Sequence, residues 1–288
     1  MKNYLSLVKF SHTIFAMPFA VIGFFLATKS LATKSQNSDI DWLLFVLVIA
    51  CMVFARTAAM AFNRYADRDI DSKNPRTAMR EIPAGLISER NALFFIIINC
   101  LLFVATTFFI NWLCFFLSPV ALLVVLGYSY TKRFTALCHF VLGIGLALAP
   151  LGAYIAVTGE FAILPMIYAF IVLLWVAGFD IIYALQDEEF DRSLGLNSIP
   201  SLLGKSRALM LSNILHAITA LLVVYSGTVG EFGHFYIVGQ VVFIALLAYQ
   251  HFLVKPYDLS RVNLAFFTTN GVASTIFGAF TLFDLFYN

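Results

Sequence analysis

Charge is scarce in this chain: Asp, Glu, Lys and Arg together make up 12% of its 288 residues, while 61% are apolar and 16% aromatic. So little charge excludes an ordinary soluble domain and a disordered segment alike. The net charge of +2 leaves no basic excess with which to bind nucleic acid, so no nucleic-acid partner is expected. The four cysteines, Cys51, Cys100, Cys114 and Cys138, form no CxxC pair and no Cys–His cluster, which excludes a zinc centre and leaves them as small core residues. His12, His139, His216, His234 and His251 likewise lack ligand spacing and read as packing or interfacial residues. The start offers no small-residue cleavage site after Lys2 and Lys9, so the first apolar run, ending near Leu26, is expected to stay as a span.

The sequence does contain a series of long apolar runs. They lie near 13–29, 42–62, 91–111, 113–130, 136–158, 161–183, 207–227, 233–254 and 264–286, and predict an all-α integral membrane protein of about nine transmembrane helices in one domain, 1–288. Only Asn111-Trp112 separates the third run from the fourth. With a cytoplasmic N-terminus, every Lys and Arg except Lys29 and Lys34 falls on the inside. This predicts a multi-pass protein of the cell (inner) membrane with its polar site towards the cytoplasm and its C-terminus outside. The order of elements suggests parallel four-helix repeats, 1–133 and 134–258, plus a last helix, 259–288.

Against this apolar background two acidic clusters stand out, and ionisable groups at a bilayer edge default to function. Asn63, Asp67 and Asp71 are spaced four and four, which puts them within an arc of roughly 80° on one helix face. Asp180, Tyr183, Asp187 and Asp191 are spaced three, four and four and form a second such stripe. Carboxylates gathered in one cavity repel by about 3 kcal/mol per pair at ~5 Å and an effective dielectric near 20, so they require cations. An oxygen-only donor set points to magnesium, which is usually shared between one or two carboxylates and a substrate phosphate.

Each cluster is followed by a long polar stretch, 72–90 and 192–206, with turn signals at Pro75, Pro83, Gly85, Gly195, Pro200 and Gly204. Such stretches are lids or solvated connections. Lys132 and Arg133, after Tyr128 and Tyr130, either anchor helices at headgroup level or donate to a diphosphate. Gly143 and Gly145 read as close-packing points. The sequence sets no oligomeric state.

Three blocks, NRYADRDIDSKNPRT (63–77), YSYTKR (128–133) and DIIYALQDEEFD (180–191), together resemble the UbiA superfamily of intramembrane aromatic prenyltransferases. SHTIFAMPFA (11–20) and HFVLGIGLALAPLGAYIAV (139–157) look like its 4-hydroxybenzoate polyprenyltransferase-like branch, which includes enzymes of menaquinone synthesis acting on a hydroxynaphthoate. The resemblance implies helices around a central cavity that opens laterally to lipid, and Mg2+-dependent transfer from a polyprenyl diphosphate to an aromatic acid acceptor. It implies metal binding by Asn63, Asp67, Asp71, Asp187 and Asp191, and a cavity lined beside them by Asp180 and Tyr183. It also implies a diphosphate grip by Lys132 and Arg133, with Arg76 and Arg80 as further donors. Arg64 stands where many members carry aspartate, and either holds an acceptor carboxylate or faces lipid headgroups. An ion-coupled transporter is the alternative reading, although its acids would lie near the midplane rather than beside basic loops. A lipid-headgroup transferase would carry DGxxAR, which is absent.

Overall fold

The structure, a computed structural model, describes residues 2–8, 15–35 and 40–288. Lys9, His12 and the first part of the 11–20 block, residues 11–14, lie outside the described residues, as do the side chains of Lys2 and Lys34. A short α1 (Lys2–Leu7) precedes α2 (Met17–Ser35), α3 (Trp42–Ala66), the single turn α4 (Arg68–Asp71), α5 (Glu89–Ile110) and α6 (Trp112–Thr131). Then come α7 (Cys138–Thr158), α8 (Ile163–Ala184), α9 (Glu188–Ser193), α10 (Ile199–Val229), α11 (His234–Leu253) and α12 (Asn270–Tyr287), the last preceded by a π-helical turn, Leu264–Thr269. Eight of these stretches are long and apolar enough to cross a membrane, and Met17–Thr33 is a shorter ninth. Among the described residues there is no β-strand, only one isolated bridge between Lys255 and Asp258.

Local chemistry sets the helix ends. Asp41 and Ser88 accept from backbone N–H groups in the first turns of α3 and α5, at 2.9 and 3.3 Å. Asn111, the interruption noted in the sequence, is a one-residue hinge: it terminates α5 in extended backbone and caps α6 through Cys114 N–H at 2.8 Å. Its amide also donates to Ile155 and Ala156 carbonyls at 3.0 Å, tying this corner to the end of α7. In α10 the predicted turn residue Gly204 is a positive-φ kink (φ 78°) inside an otherwise continuous helix, so that helix begins earlier than its apolar run.

The long helices close a ring. Each of α2, α3, α5, α6, α7, α8, α10, α11 and α12 packs on the next, α12 returns to α2, and α2 also crosses to α7. The two sides of the ring are filled differently. Between α2, α8, α11 and α12, Phe19, Trp175, Phe243 and Phe277 form an aromatic cluster with neighbouring centroids 5.1–6.0 Å apart. Between α2, α3, α5, α6 and α7, small residues such as Ala20, Ala55, Ala59, Ala121 and Gly152 leave a cavity of about 370 Å³.

The ring needs close backbone approaches to shut. A Cβ on Gly143 of α7 would sit 2.4 Å from the Leu173 carbonyl oxygen of α8, and one on Gly23 of α2 would sit 2.2 Å from that of Pro150. Gly145 has a different role from Gly143, since it lines the cavity. Replacing Gly143 by Val is expected to force α7 and α8 apart and to cost about 1–3 kcal/mol. Thermal unfolding in detergent should show this as a midpoint several degrees lower.

Candidate active site

One end of the ring gathers the polar residues: the C-terminal ends of α3, α6 and α8, the N-terminal end of α7, and the loops beside them. Both acidic segments are built alike. Helix α3 ends at Asp67, where φ and ψ move to −96° and 3°, and one further turn, α4, carries Asp71. Helix α8 ends after Ala184, a 3₁₀ turn (Leu185–Asp187) follows, and α9 carries Asp191. The sequence predicted unbroken helical stripes, and the helices do break. The four-residue alignment of the first segment survives because Asp67 N–H still bonds to the Asn63 carbonyl at 3.0 Å and Asp71 N–H to that of Asp67 at 2.7 Å.

Each of these carboxylates has its own donor. Asp67, 3% exposed, takes Lys132 Nζ at 2.6 Å and the Asn63 amide at 3.2 Å on Oδ2. Its Oδ1 is buried with no hydrogen-bond donor, and Arg133 stands off at 3.8 Å. Asp71 is straddled by Arg80 Nη1 at 2.7 and 2.8 Å. Asp187 receives the Arg76 guanidinium on both oxygens and the Asn74 amide at 3.0 Å, while Arg76 Nη1 also donates to Tyr183 Oη at 2.9 Å. Asp180 is bound by His139 Nδ1 at 2.7 Å. Since His139 Nε2 accepts from Ile199 N–H at 3.2 Å, the imidazole is the Nδ1–H tautomer and donates to Asp180. Asp191, half-buried, has Ser198, Asp187, Lys132 and His139 as its electrostatic neighbours. Among the described residues no three His, Cys, Asp or Glu side chains converge on one point.

The basic residues also join the two segments. Arg76 reaches from the loop after the first acidic segment to the second. Lys132 holds Asp67 with its ammonium group, and its carbonyl accepts from Asn197 N–H at 2.7 Å in the loop after the second segment. Arg133 turns elsewhere, donating to the Ala66 carbonyl at the end of α3 and lying over Tyr130. Burial pushes the Asp67 carboxyl above its ordinary range, and the Lys132 charge opposes that rise. Burial lowers the Arg76 pKa, but Asp187 and Tyr183 outweigh it and leave the guanidinium above its usual value.

Arg64 is buried at 7% exposure, with Arg80, Asp71, Tyr128 and Glu81 as its electrostatic neighbours, and so does not reach out to headgroups. Its Nε has no hydrogen-bond partner. Tyr128 lines the cavity. Three residues here escaped sequence reasoning. Asn74 reads as an ordinary turn residue, and the His139–Asp180 contact joins two helices far apart in sequence. Arg56 lines the cavity two helical turns before Asn63, and a charge inside an apolar run was the available signal.

A ring of membrane-length helices with two aspartate-bearing breaks, a set of basic partners and an apolar cavity defines a polytopic membrane protein with a charged site at one end. The family model described as the UbiA prenyltransferase family matches residues 16–272, and the chain belongs to that family; it is a membrane prenyltransferase. The 4-hydroxybenzoate octaprenyltransferase of Aliivibrio fischeri (strain MJ11) is 30% identical over 239 residues, 82% of each chain. The apo structure of a UbiA homologue from Aeropyrum pernix K1 superposes with a TM-score of 0.84 at 34% identity, over 95% of this chain and 98% of that one. A UbiA homologue from Archaeoglobus fulgidus bound to GPP and Mg2+ gives 0.75 at 25% identity, over 98% and 99%.

Replacing Lys132 by Gln leaves Asp67 buried without its cation. The carboxyl must then ionise against burial with only the Asn63 amide and the more distant Arg133 to help, so the acid limb of the pH–rate profile moves to higher pH, and activity falls by about 10²-fold. A stopped-time assay from pH 5.5 to 9 reads both.

Proposed function

We propose that this chain transfers a polyprenyl group from its diphosphate to an aromatic carboxylic acid, 4-hydroxybenzoate or a hydroxynaphthoate, in ubiquinone or menaquinone synthesis, with Mg2+ as cofactor. The carrying observation is that Asp67 and Asp71 of one segment and Asp187 and Asp191 of the other stand at the same polar end of the ring, tied together through Lys132 and Arg76, while Arg56 of α3 and Tyr128 of α6 line an apolar cavity. The octaprenyltransferase relatives and the homologue solved with GPP and Mg2+ support it.

The donor set suits the metal. Asn63, Asp67, Asp71, Asp187 and Asp191 offer only oxygen ligands in the required sense, and the buried Asp67 Oδ1 lacks a donor that a hard cation would replace. When bound, Mg2+ neutralises charge on the leaving diphosphate. The remaining work falls to the chain. Lys132, Arg76 and Arg80 exchange their carboxylate partners for phosphate oxygens and hold the leaving group as the allylic C–O bond breaks. The apolar cavity walls exclude water from the allylic cation, and Tyr128 presents a ring to it. The acceptor ring attacks through the carbon beside its hydroxyl, and the proton on that carbon leaves to a nearby base as aromaticity returns. Arg56 in the cavity and the buried Arg64 supply cationic partners for the acceptor carboxylate.

The basic residues around this end support an orientation of the site towards the cytoplasm. The likeness of the two broken-helix segments supports the repeats 1–133 and 134–258, with 259–288 as a last helix; a superposition of the halves that leaves α3 unmatched to α8 removes that reading.

Membranes holding the protein, given radiolabelled polyprenyl diphosphate with 4-hydroxybenzoate or dihydroxynaphthoates in parallel, are expected to form lipid-soluble product with one acceptor. EDTA should abolish it, and Asp67→Ala should lower it by at least about 10³-fold. A well-folded protein that transfers to no aromatic acid contradicts the proposal and favours the transport alternative.

A further inference from the structure

The last helix begins abnormally. Residues Leu264–Thr269 form a π-helical turn, a widened turn frequent at functional sites, in which the carbonyls no longer follow the α-helical bonding pattern. Side chains capture those carbonyls. Thr269 Oγ1 donates to the Leu264 carbonyl at 3.1 Å, and Asn270 Nδ2 donates to those of Ala265 and Phe266 at 3.3 and 2.9 Å. Asn270 is fully buried and is itself held, since its Oδ1 accepts from Trp175 Nε1 of α8 at 3.0 Å and from Gln250 Nε2 of α11 at 2.7 Å. Three helices therefore converge on one amide that maintains the wide turn.

The widened turn points its aromatic residues at the acidic site. An extra residue in one turn rotates everything before it by about 100° relative to an α-helical path. In the observed register Phe266 stacks on Tyr183, with centroids 4.2 Å apart and ring planes at 30°, and also meets Phe179 edge-on at 5.3 Å. Phe267 meets Tyr183 edge-on at 6.0 Å. Tyr183 in turn accepts from Arg76 and lies under its guanidinium, 5.2 Å from the ring centre. A buried amide in α12 is thus connected by rings to the cation that bridges the two acidic segments.

We infer that Asn270 is a positioning residue for the diphosphate end of the site, holding the π-helical register that sets Phe266 against Tyr183 and, through it, Arg76. The inference rests on the reading of Arg76 as a diphosphate donor. A role limited to stability would lower thermal resistance without coupling to Arg76, so the test is a double-mutant cycle on binding.

The probe is geranyl S-thiolodiphosphate, a slowly ionising analogue, titrated with Mg2+ into detergent-purified protein. Asn270→Ala and Phe266→Leu are each expected to weaken its binding by about ten-fold and Arg76→Gln by more, while in the Arg76→Gln background the first two add less than about two-fold. Phe266→Tyr, which keeps the stack, should restore affinity, and Thr281→Val, elsewhere on α12, should leave it unchanged. Where Asn270→Ala does not fold, the Phe266 and Arg76 pair carries the cycle. Wild-type affinity in the Phe266→Leu protein, or full additivity with Arg76→Gln, overturns the inference. Wild-type affinity in Arg76→Gln removes the Arg76 assignment, and this inference with it.

Discussion

Everything at the polar end of the ring follows from carboxylates placed where water is scarce. A buried carboxylate must be matched by a cation, and stripping one partner from such a pair costs about 3–5 kcal/mol because a charge is left uncompensated. Here Asp67, Asp71 and Asp187 are matched by Lys132, Arg80 and Arg76 respectively. Lys132 and Arg76 each also touch the opposite segment or the loop behind it, so charge balance and the mutual placement of the two helix breaks are one constraint. Such a set is poised for exchange. A metal–diphosphate pair brings in both signs at once, so carboxylates and basic groups can change partners without any charge left bare.

The ring divides the remaining labour by side-chain size. Large rings fill the side bounded by α2, α8, α11 and α12 and make it stiff. Alanines and glycines on α3, α6 and α7 leave the other side hollow, next to Tyr128 and Arg56. The stiff side carries Asp180 and Tyr183 near the end of α8 and Asp187 in the turn after it, and the hollow side carries Asn63 near the end of α3 and Asp67 as its cap. The acidic site therefore lies where a rigid wall meets a cavity.

Much of this was legible in the sequence, because apolar runs mark membrane helices and a four-residue spacing survives small changes of helix geometry. The Asn111 break was readable from one polar residue between two apolar runs and proved to be a hinge that also caps. The breaks at Asp67 and after Ala184 were not readable, since no proline or glycine marks them; the carboxylates at and just beyond them, Asp67 and Asp187, are engaged instead in tertiary ion pairs with Lys132 and Arg76. Arg64 illustrates the other limit. Its substitution for aspartate was visible, but its burial among Asp71, Glu81 and Tyr128 depends on how α3, α6 and the following loop pack. The His139–Asp180 bond and the π-helical turn at Leu264–Thr269 depend on contacts between distant helices, which no local pattern encodes.

The central claim is that the two acidic segments act as one site for a divalent cation, occupied cooperatively with a diphosphate. The most direct measurement is Mn2+ binding to the purified protein by electron paramagnetic resonance, with and without a non-hydrolysable prenyl diphosphonate. The account predicts that the diphosphonate tightens Mn2+ binding, and that Asp67→Asn and Asp187→Asn each abolish the enhancement although they lie on different segments. Enhancement that survives either substitution, or no Mn2+ binding in folded protein with the diphosphonate present, would contradict it.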